Sequence, residues 1–291
     1  MAEPSPGRRL RDLLAAPELV VAPGVYDGLS ALVAAGAGFE ALYVSGGAIA
    51  RSTGVPDLGL VTMTEVLARL REVIDAVHLP VLADADTGYG GALNVARTVR
   101  EMERLGVAGL HLEDQVTPKR CGHYGGKELV PAADMVGKLA AAVEARADPD
   151  LVLVARTDAI AVEGFDAALD RAGRYVAAGA DLVFVEAPET IEQLARIAAE
   201  VPAPTVVNMF AGGRTPHLDA AEVERFGHAM MLVPSDLQRA ALWAMQEAAA
   251  ALRSAGSTRS VAGRLASFDE RDDVVGLARY RDAADRYEGR P

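Results

Sequence analysis

Short apolar runs alternate along this chain with longer segments of helical period. Bounded by Gly, Pro or Asp, the runs predict eight strands: Leu19–Ala22, Ala41–Ser45, Val81–Asp84, Gly109–Glu113, Leu151–Arg156, Leu182–Glu186, Thr205–Asn208 and Ala229–Val233. The amphipathic stretches between them predict helices: Thr64–Ala76, Leu93–Leu105, Ala133–Arg146, Asp166–Ala178 and Ile191–Glu200. Continuous apolar strands separated by helices are typical of a parallel sheet covered by helices.

Polar residues mark nearly every predicted strand end. They are Ser45, Asp84, Asp86, His111, Glu113, Arg156, Asp158, Glu186 and Asn208. A doubly wound sheet would gather ligand-binding groups at one switch point, whereas a barrel brings all strand ends to one mouth. The pattern therefore predicts an α/β protein with a (β/α)8 barrel.

The remaining segments predict helical additions to that barrel. Asp236–Arg253 is rich in Ala and Leu and predicts a helix, and a charged tail with scattered apolar residues follows it. We expect one domain over 1–291, with a tail and helix over 1–18 and a helical extension over 236–291. The apolar residues of the extension suggest that it covers something, such as a neighbouring subunit.

Charge and composition exclude several classes of protein. The 291 residues include 29 basic and 41 acidic side chains, a net charge of −12, which disfavours non-specific nucleic-acid binding. A single cysteine excludes a disulfide framework within the chain and a Cys-rich zinc module. The polar start Met1–Pro6 and the lack of an apolar run of about 18–20 residues predict a cytoplasmic protein that does not bind membranes.

Acidic residues at two neighbouring strand ends suggest a metal site. Asp84 and Asp86 are two residues apart and would point the same way in extended backbone, as would His111 and Glu113. Clustered oxygen ligands suit Mg²⁺ or Mn²⁺. The alternative is that these acids are helix caps and solvated loop residues.

The only cysteine, Cys121, lies in a loop rich in glycine and positive charge. Lys119, Arg120 and His123 predict a lowered thiol pKa and a role in proton transfer, and nearby glycines would let the loop open and close. A lone cysteine can instead be a small buried apolar residue. Arg156 and Arg239 are candidates to bind a carboxylate of an anionic substrate.

Taken together, several motifs resemble the isocitrate lyase and phosphoenolpyruvate mutase superfamily, especially its short methylisocitrate lyase-like members. The matching stretches are Pro23–Asp27, Tyr43–Gly47, Pro56–Gly59, Asp84–Gly90, Glu113–Gln115, Pro118–His123, Ala155–Asp158 and Val185–Ala187. The resemblance covers nearly the whole chain. It implies a (β/α)8 barrel, a Mg²⁺ cofactor, and a homotetramer in which the eighth helix is swapped between subunits.

The resemblance also implies a role for each matching residue. Asp86 resembles the direct metal ligand, and Asp57, Asp84 and Glu113 the residues that hold the waters of the metal. Cys121 resembles the acid that protonates the departing carbanion, in a loop with Lys119, Arg120 and His123, and Tyr43 resembles the base. The implied substrate contacts are Ser45, Gly46, Gly47, Arg156, Glu186, Asn208 and Arg239.

These roles predict a Mg²⁺-dependent lyase that releases pyruvate, or a similar keto acid, from a methylisocitrate-type or alkylmalate-type substrate. One departure concerns the distal end of the substrate, because Ala211 stands where such relatives usually have glutamate. A dimethylmalate-like substrate is therefore a contender. The alternatives are a carboxyphosphonoenolpyruvate phosphonomutase, an oxaloacetate decarboxylase and a non-catalytic binding protein.

Overall fold

Eight parallel strands close into a barrel in a computed structural model that describes residues 3–289. They are β1 (Val20–Val25), β2 (Leu42–Val44), β3 (Val81–Asp84), β4 (Gly109–Glu113), β5 (Val152–Thr157), β6 (Leu182–Val185), β7 (Thr205–Asn208) and β8 (Met230–Val233). Each strand pairs with the next in the chain, and β8 pairs with β1. The predicted (β/α)8 barrel is confirmed.

Helices surround the barrel and extend beyond it. They are α1 (Pro6–Ala15), α2 (Gly28–Gly36), α3 (Gly46–Ser52), α4 (Met63–Ala76), α5 (Ala92–Leu105), α6 (Ala132–Ala145), α7 (Ile160–Glu163), α8 (Phe165–Ala177), α9 (Ile191–Glu200), α10 (Ala220–Glu224), α11 (Asp236–Ala255), α12 (Phe268–Val274) and α13 (Leu277–Glu288). A 3-10 helix, Arg259–Arg264, joins α11 to α12. The extension after the eighth strand is therefore helical, as predicted.

Two features of the barrel differ from the predicted pattern. Strand β1 runs on to Val25, because Pro23 and Gly24 are part of it and do not form a turn. Helix α2 lies in a segment that shows no amphipathic pattern, because it has no charged residue; its start is fixed by a capping box in which Asp27 and Ser30 exchange hydrogen bonds.

The core has two layers that alternate along the strands. One buried cluster includes Tyr43, Val154 and Phe184 together with Leu10 of α1. The intervening strand residues pack with the surrounding helices in three further clusters. Arg11 of α1 donates to the Asp150 carbonyl just before β5, which places α1 at the amino-terminal end of the strands. The opposite mouth is left for the polar strand ends.

Within residues 3–289, no helix combines the length and the apolar composition needed to span a bilayer.

Candidate active site

A cavity of about 440 Å³ opens at the carboxyl ends of the strands. Most of the predicted site residues line it: Tyr43, Ser45, Gly47, Asp57, Asp84, Lys119, Cys121, His123, Arg156, Glu186, Asn208 and Arg239. Three further predicted residues do not line the cavity but contact side chains that do: Gly46 contacts Asp84, Asp86 contacts Lys119, and Glu113 contacts Arg156. Residues at or after the carboxyl ends of seven strands, β2 to β8, thus contribute to one site, and the predicted polar strand ends account for six of these strands.

The carboxylates form a buried cluster beside β3 and β4. Asp86 has a left-handed backbone (φ 48°), and its N–H donates to Oδ1 of Asp84 at 2.9 Å. The expected extended pair of aspartates is therefore wrong, since the chain turns directly after β3. Burial, with the nearby charge of Asp84, raises the pKa of Asp86 to about 6, although Lys119 opposes the shift.

Lys119 provides a positive charge inside this acidic cluster. Its ammonium lies 2.6 Å from Oδ1 of Asp57 and 2.9 Å from Oδ1 of Asp86. Burial alone would lower the pKa of Lys119, but the charges of Asp86 and Glu113 outweigh it and raise that pKa well above the usual range. Lys119 is therefore a cation that joins the loop carrying Asp57 to the end of β3.

The carboxylate cluster contains oxygen atoms that are free to bind a hydrated cation. Both carboxylate oxygens of Glu113 are buried and accept no hydrogen bond, and burial raises the pKa of Glu113 well above its usual range. Within residues 3–289, no three His, Cys, Asp or Glu side chains are arranged to hold a metal ion directly. Mg²⁺ typically keeps several waters and uses one or two carboxylates. The donor set thus fits a water-bridged magnesium ion and does not fit a closed zinc site.

Tyr43 of β2 and His111 of β4 form a buried pair on the two strands that flank β3. The Tyr43 hydroxyl lies 2.8 Å from Nε2 of His111 and 3.3 Å from Oδ2 of Asp84. Burial, then the charge of Asp84, raises the pKa of Tyr43 well above its usual range, and burial lowers the pKa of His111. The phenol is therefore protonated at neutral pH, and the imidazole is neutral.

The turn after β2 is more fully bonded than the sequence predicted. The Ser45 N–H donates to the Val25 carbonyl and the Gly46 N–H donates to Asp84. Only glycine fits at position 47, because a Cβ there would lie 2.7 Å from Oδ2 of Asp57. Of the three predicted backbone donors, two are already satisfied within the protein.

Arg156 lies at the centre of the cavity wall, near the end of β5. Its guanidinium donates to Asp158 twice, at 2.9 and 3.1 Å, and lies 3.3 Å from Glu186 and 3.4 Å from Glu113. It also lies over the ring of Phe184, 5.2 Å from the centroid. These contacts hold the Arg156 guanidinium in one orientation, with its positive charge facing the cavity.

Residues 116–130, the Cys121 loop, project from β4 over the cavity. An antiparallel bridge between Gln115 and Leu129 closes the base of the loop. The Gln115 side chain binds the backbone of Arg120 at both its N–H and its carbonyl, at 2.9 and 2.8 Å. The residue before Cys121 is therefore tied to the barrel.

The predicted lowering of the Cys121 pKa is wrong. Burial, followed by the charges of Asp57 and Glu186, raises the pKa of this half-buried thiol. The cations expected to lower this pKa interact with other groups. Lys119 contacts Asp57 and Asp86, and the Arg120 guanidinium is exposed and lines a neighbouring cavity. The sulfur consequently keeps its proton at neutral pH, which is the form that a general acid requires.

His123 and Phe210 form the far side of the cavity. Nε2 of His123 lies 3.0 Å from Oε1 of Glu186, and its ring packs edge-on against Phe210 with centroids 4.5 Å apart. Burial opposes ionisation of Glu186, but Arg156 and His123 outweigh it and lower its pKa to about 2. Glu186 is thus an anion that lies between the His123 ring and the Arg156 guanidinium.

The two remaining predicted substrate contacts, Asn208 and Arg239, differ in whether their polar atoms already have partners within the protein. Oδ1 of Asn208 is buried and accepts no hydrogen bond. Arg239 is half exposed and donates to the Ala211 carbonyl at 2.7 Å, with Asp236 at 3.2 Å. Asn208 is available to a ligand, whereas Arg239 is partly committed.

No role was predicted for several residues of the site, although Asp158 is one of the polar residues at predicted strand ends. Lys127 and Asp158 form a fully buried ion pair at 2.8 Å beneath the Cys121 loop. Phe210 supplies an apolar wall. Two signals in the sequence could have pointed to the ion pair: Lys127 directly follows two glycines in the loop, and Asp158 is two residues beyond Arg156.

Comparison with known proteins gives one consistent result. The model of the phosphoenolpyruvate phosphomutase family matches residues 10–253. The 2,3-dimethylmalate lyase of Eubacterium barkeri is 45% identical over 280 residues, covering 96% of this chain and 97% of the relative. The 2-methylisocitrate lyase of Aeropyrum pernix is 44% identical over 280 residues, with coverages of 96% and 90%.

Solved structures agree over almost the whole chain. A 2,3-dimethylmalate lyase crystal structure superposes with a TM-score of 0.91 at 38% identity, covering 97% of this chain and 95% of the other. A phosphonopyruvate hydrolase solved with oxalate and Mg²⁺ has a TM-score of 0.89 at 31% identity, with coverages of 98% and 99%.

Proposed function

Because the chain belongs to the phosphoenolpyruvate phosphomutase family, within the isocitrate lyase/phosphoenolpyruvate mutase superfamily, we propose a specific carbon–carbon lyase reaction for it. The enzyme cleaves a 2-hydroxy acid of the alkylmalate or 2-methylisocitrate type into pyruvate, or a similar keto acid, and a carboxylic acid. The observation that carries this proposal is the position of the Cys121 thiol in the same cavity as Arg156 and the carboxylate cluster.

The keto-acid half of the substrate binds at Arg156, with Ser45 and Gly47 beside it. The Arg156 guanidinium is buried and already oriented by Asp158, so it binds a carboxylate with little loss of freedom. Of the backbone amides predicted for this role, those of Ser45 and Gly46 are engaged. We assign the contact to the Gly47 amide and the Ser45 hydroxyl.

Cleavage needs removal of the proton from the 2-hydroxyl group. Tyr43 is protonated, so it acts as a base only if its own proton leaves in the same step. Nε2 of the neutral His111, 2.8 Å away, is placed to accept that proton. The pair Tyr43–His111 thus takes up one proton as the hydroxyl oxygen becomes the carbonyl oxygen of the keto acid.

The bond between C2 and C3 then breaks, and its electron pair stays with the second fragment as an enediolate. Cys121 donates its proton to the carbon of this fragment and becomes a thiolate. The same loop keeps water away from the basic intermediate. His123 and Lys119 support this position through Glu186 and Asp57, and Arg120, facing outward, acts through its backbone contact with Gln115.

A divalent metal completes the site, and we propose Mg²⁺, with Mn²⁺ as a substitute. The phosphonopyruvate hydrolase of the same fold was solved with Mg²⁺. Asp86 would be the direct ligand, and Asp57, Asp84 and Glu113 would hold its waters. When bound, the metal stabilises negative charge on the oxygens of the keto acid.

The distal wall favours an alkylmalate over a tricarboxylic acid. Phe210 lines the cavity beyond Glu186, and Ala211 contributes its carbonyl to Arg239. That carbonyl occupies part of the guanidinium that would otherwise bind a third carboxylate. We therefore propose a dimethylmalate-like substrate, whose second carboxylate binds the Asn208 side-chain amide and the part of the Arg239 guanidinium that remains free.

A lactate dehydrogenase-coupled assay tests this function directly. The panel is 2,3-dimethylmalate, other alkylmalates and 2-methylisocitrate, with oxaloacetate as one alternative. Phosphorus NMR of carboxyphosphonoenolpyruvate tests the mutase alternative, because that reaction forms a carbon–phosphorus bond and releases no pyruvate. We expect pyruvate from an alkylmalate with Mg²⁺, loss of turnover with EDTA and recovery on adding Mg²⁺. Silence on every 2-hydroxy acid would reject the lyase function.

Cys121→Ser tests the proton donor in the same assay. A general acid contributes about 10²–10⁴-fold, so kcat should fall by that order while pyruvate binding, measured by calorimetry, is retained. Unchanged turnover would reject the role of Cys121.

We also propose a cytoplasmic homotetramer, with the helix after β8 exchanged between subunits. Its support is the apolar surface of the carboxyl-terminal extension, where Trp243, Phe268 and Tyr280 are exposed by 56%, 75% and 62%. Several large apolar side chains exposed on one extension favour an interface. Analytical ultracentrifugation of the full chain measures the subunit number.

A further inference from the structure

Lys127 is a buried ammonium group that the proposed reaction does not use. Its side chain is 1% exposed, and Nζ donates to two acceptors, the Gly122 carbonyl and Oδ1 of Asp158, the latter at 2.8 Å. Gly122 directly follows Cys121 in the loop, whereas Asp158 follows β5. The ammonium therefore connects the loop to the barrel.

The Asp158 end of this connection is rigid. Its carboxylate is 0% exposed and holds the Arg156 guanidinium at 2.9 and 3.1 Å. Its backbone N–H donates to Oδ1 of Asp114 at 3.0 Å. A single carboxylate thus serves both Lys127 and the arginine that faces the cavity.

The Gly122 end lies directly against the same arginine. A Cβ on Gly122 would lie 2.5 Å from Nη2 of Arg156 and 2.6 Å from Cγ of Glu186. The loop backbone is therefore packed onto the substrate-binding groups with no space between them. Any outward movement of Gly122 would also move the neighbouring thiol.

We propose that Lys127 is a positioning residue that holds the Cys121 loop against Arg156. Its ammonium ties the Gly122 carbonyl to Asp158, so the proton donor and the carboxylate-binding group keep a fixed relation to each other. Gln115 ties the loop at Arg120, before the cysteine, and Lys127 ties it after the cysteine. The assignment of Cys121 as the acid rests on the proposed function, whereas the tie itself does not.

A purely structural role does not explain a lysine at this position. Replacing a buried ion pair by well-packed apolar residues is often neutral or stabilising. What an apolar side chain cannot supply is a donor that reaches from the loop to an acceptor on the strand. The arrangement is suited to holding two separate segments in register.

The labelling rate of Cys121 by iodoacetamide measures opening of the loop, because this is the only cysteine in the chain. The full-length Lys127→Met protein is compared with wild type by intact mass spectrometry over a range of pH, which separates loop opening from a change in thiol pKa. We expect labelling at least about tenfold faster in Lys127→Met, because a buried pair that loses one partner is strongly disfavoured. Lys127→Arg, which keeps the charge, should label at a rate closer to wild type.

Arg146→Met is the matched control. Arg146 also joins a carboxylate to a carbonyl, with Nη1 2.9 Å from Asp181 and 3.1 Å from the Leu151 oxygen, but before β5, away from the cavity. This variant should lower stability and leave labelling unchanged. Asp158→Asn tests the tie from its other end, and accelerated labelling there supports the proposal even if Lys127→Met does not fold.

A folded Lys127→Met protein that labels at the wild-type rate would overturn the proposal, as would equal acceleration in Arg146→Met. Labelling requires no turnover, so an enzyme that fails on every substrate of the panel would still give this answer. With an active substrate, kcat of Lys127→Met should fall more than KM rises. An effect on KM alone contradicts a role in placing the proton donor.

Discussion

Position 122 admits only a hydrogen atom as side chain. A Cβ added to Gly122 in the Cys121 loop would lie within 2.6 Å of both Arg156 and Glu186. A Cβ added to Gly125 of the same loop would meet nothing within 4 Å. Neither residue has the positive φ that would itself require glycine. The two glycines therefore separate the effect of close packing from that of loop flexibility.

We predict that Gly122→Ala lowers kcat by about 100-fold, because displacement of a catalytic group by about 1 Å costs that much. The loop would have to lift off Arg156 to admit the methyl group. Gly125→Ala is the control and should keep near-wild-type kcat in the pyruvate-coupled assay. Equal losses in both variants would mean that loop flexibility, and not contact with Arg156, is what matters.

At the same scale, the sequence identified Cys121 but not the direction of its pKa shift. Neighbours in sequence suggested a thiolate, because Lys119 and Arg120 precede it. In space, the Lys119 ammonium faces Asp57 and Asp86, while Asp57 and Glu186 act on the sulfur. Asp57 and Glu186 are far from Cys121 in sequence, so only the fold could reveal their effect.

At the scale of elements, β4, β5 and α8 meet at one buried carboxylate. Asp114 accepts hydrogen bonds from the Thr157 hydroxyl at 2.7 Å, the Tyr175 hydroxyl at 2.8 Å and the Asp158 N–H at 3.0 Å. Arg171 of α8 lies 3.3 Å away. Asp114 thereby fixes the segment that carries Arg156 and Asp158.

We predict that Asp114→Ala lowers the free energy of unfolding by about 3–5 kcal/mol. Three buried donors lose their acceptor, and Arg171 keeps only its second carboxylate partner, Glu163. Urea denaturation measures the change. Thr62→Ala, which removes an exposed cap of α4, is the comparison and should cost only about 1 kcal/mol. Similar losses in the two variants would show that Asp114 is no more important than an ordinary cap.

Most elements of the barrel could be predicted because their periodicity is local. The polar ends of β3 to β7 followed directly, since strand ends meet at one mouth. Helix α2 escaped prediction because it has no charged face, and the turn at Asp86 escaped because its left-handed backbone is not encoded by glycine. The Lys127–Asp158 pair spans 31 positions and joins elements whose contact depends on barrel closure.

At the scale of the whole molecule, one histidine links stability to pH. His228 is buried at the start of β8, with Nδ1 2.8 Å from the Thr205 hydroxyl. Burial lowers its pKa from 6.5 to about 4. Below about pH 6.5 the unfolded chain therefore binds a proton at His228 that the folded chain does not bind. The contribution of the neutral His228 to the free energy of unfolding is complete above about pH 6.5 and is lost as the pH falls toward about 4.

We predict that the wild-type free energy of unfolding decreases over this range by about 3 kcal/mol more than that of His228→Gln, following the linkage of pKa to stability. Urea denaturation at a series of pH values provides the comparison. His217→Gln, at an exposed position, is the control and should keep the wild-type pH dependence. Identical pH slopes for wild type and His228→Gln would contradict the prediction.

The half-buried sulfur of Cys121 also has a consequence for oxidative damage. Peroxide attacks the thiolate form, so the burial that keeps the thiol protonated also slows formation of sulfenic acid. Once that acid forms, the chain contains no second cysteine to convert it to a repairable disulfide. Reversal then depends on an outside reductant such as glutathione. With Cys121 in its proposed role as proton donor, we expect prolonged oxidant exposure to inactivate the enzyme at a single atom.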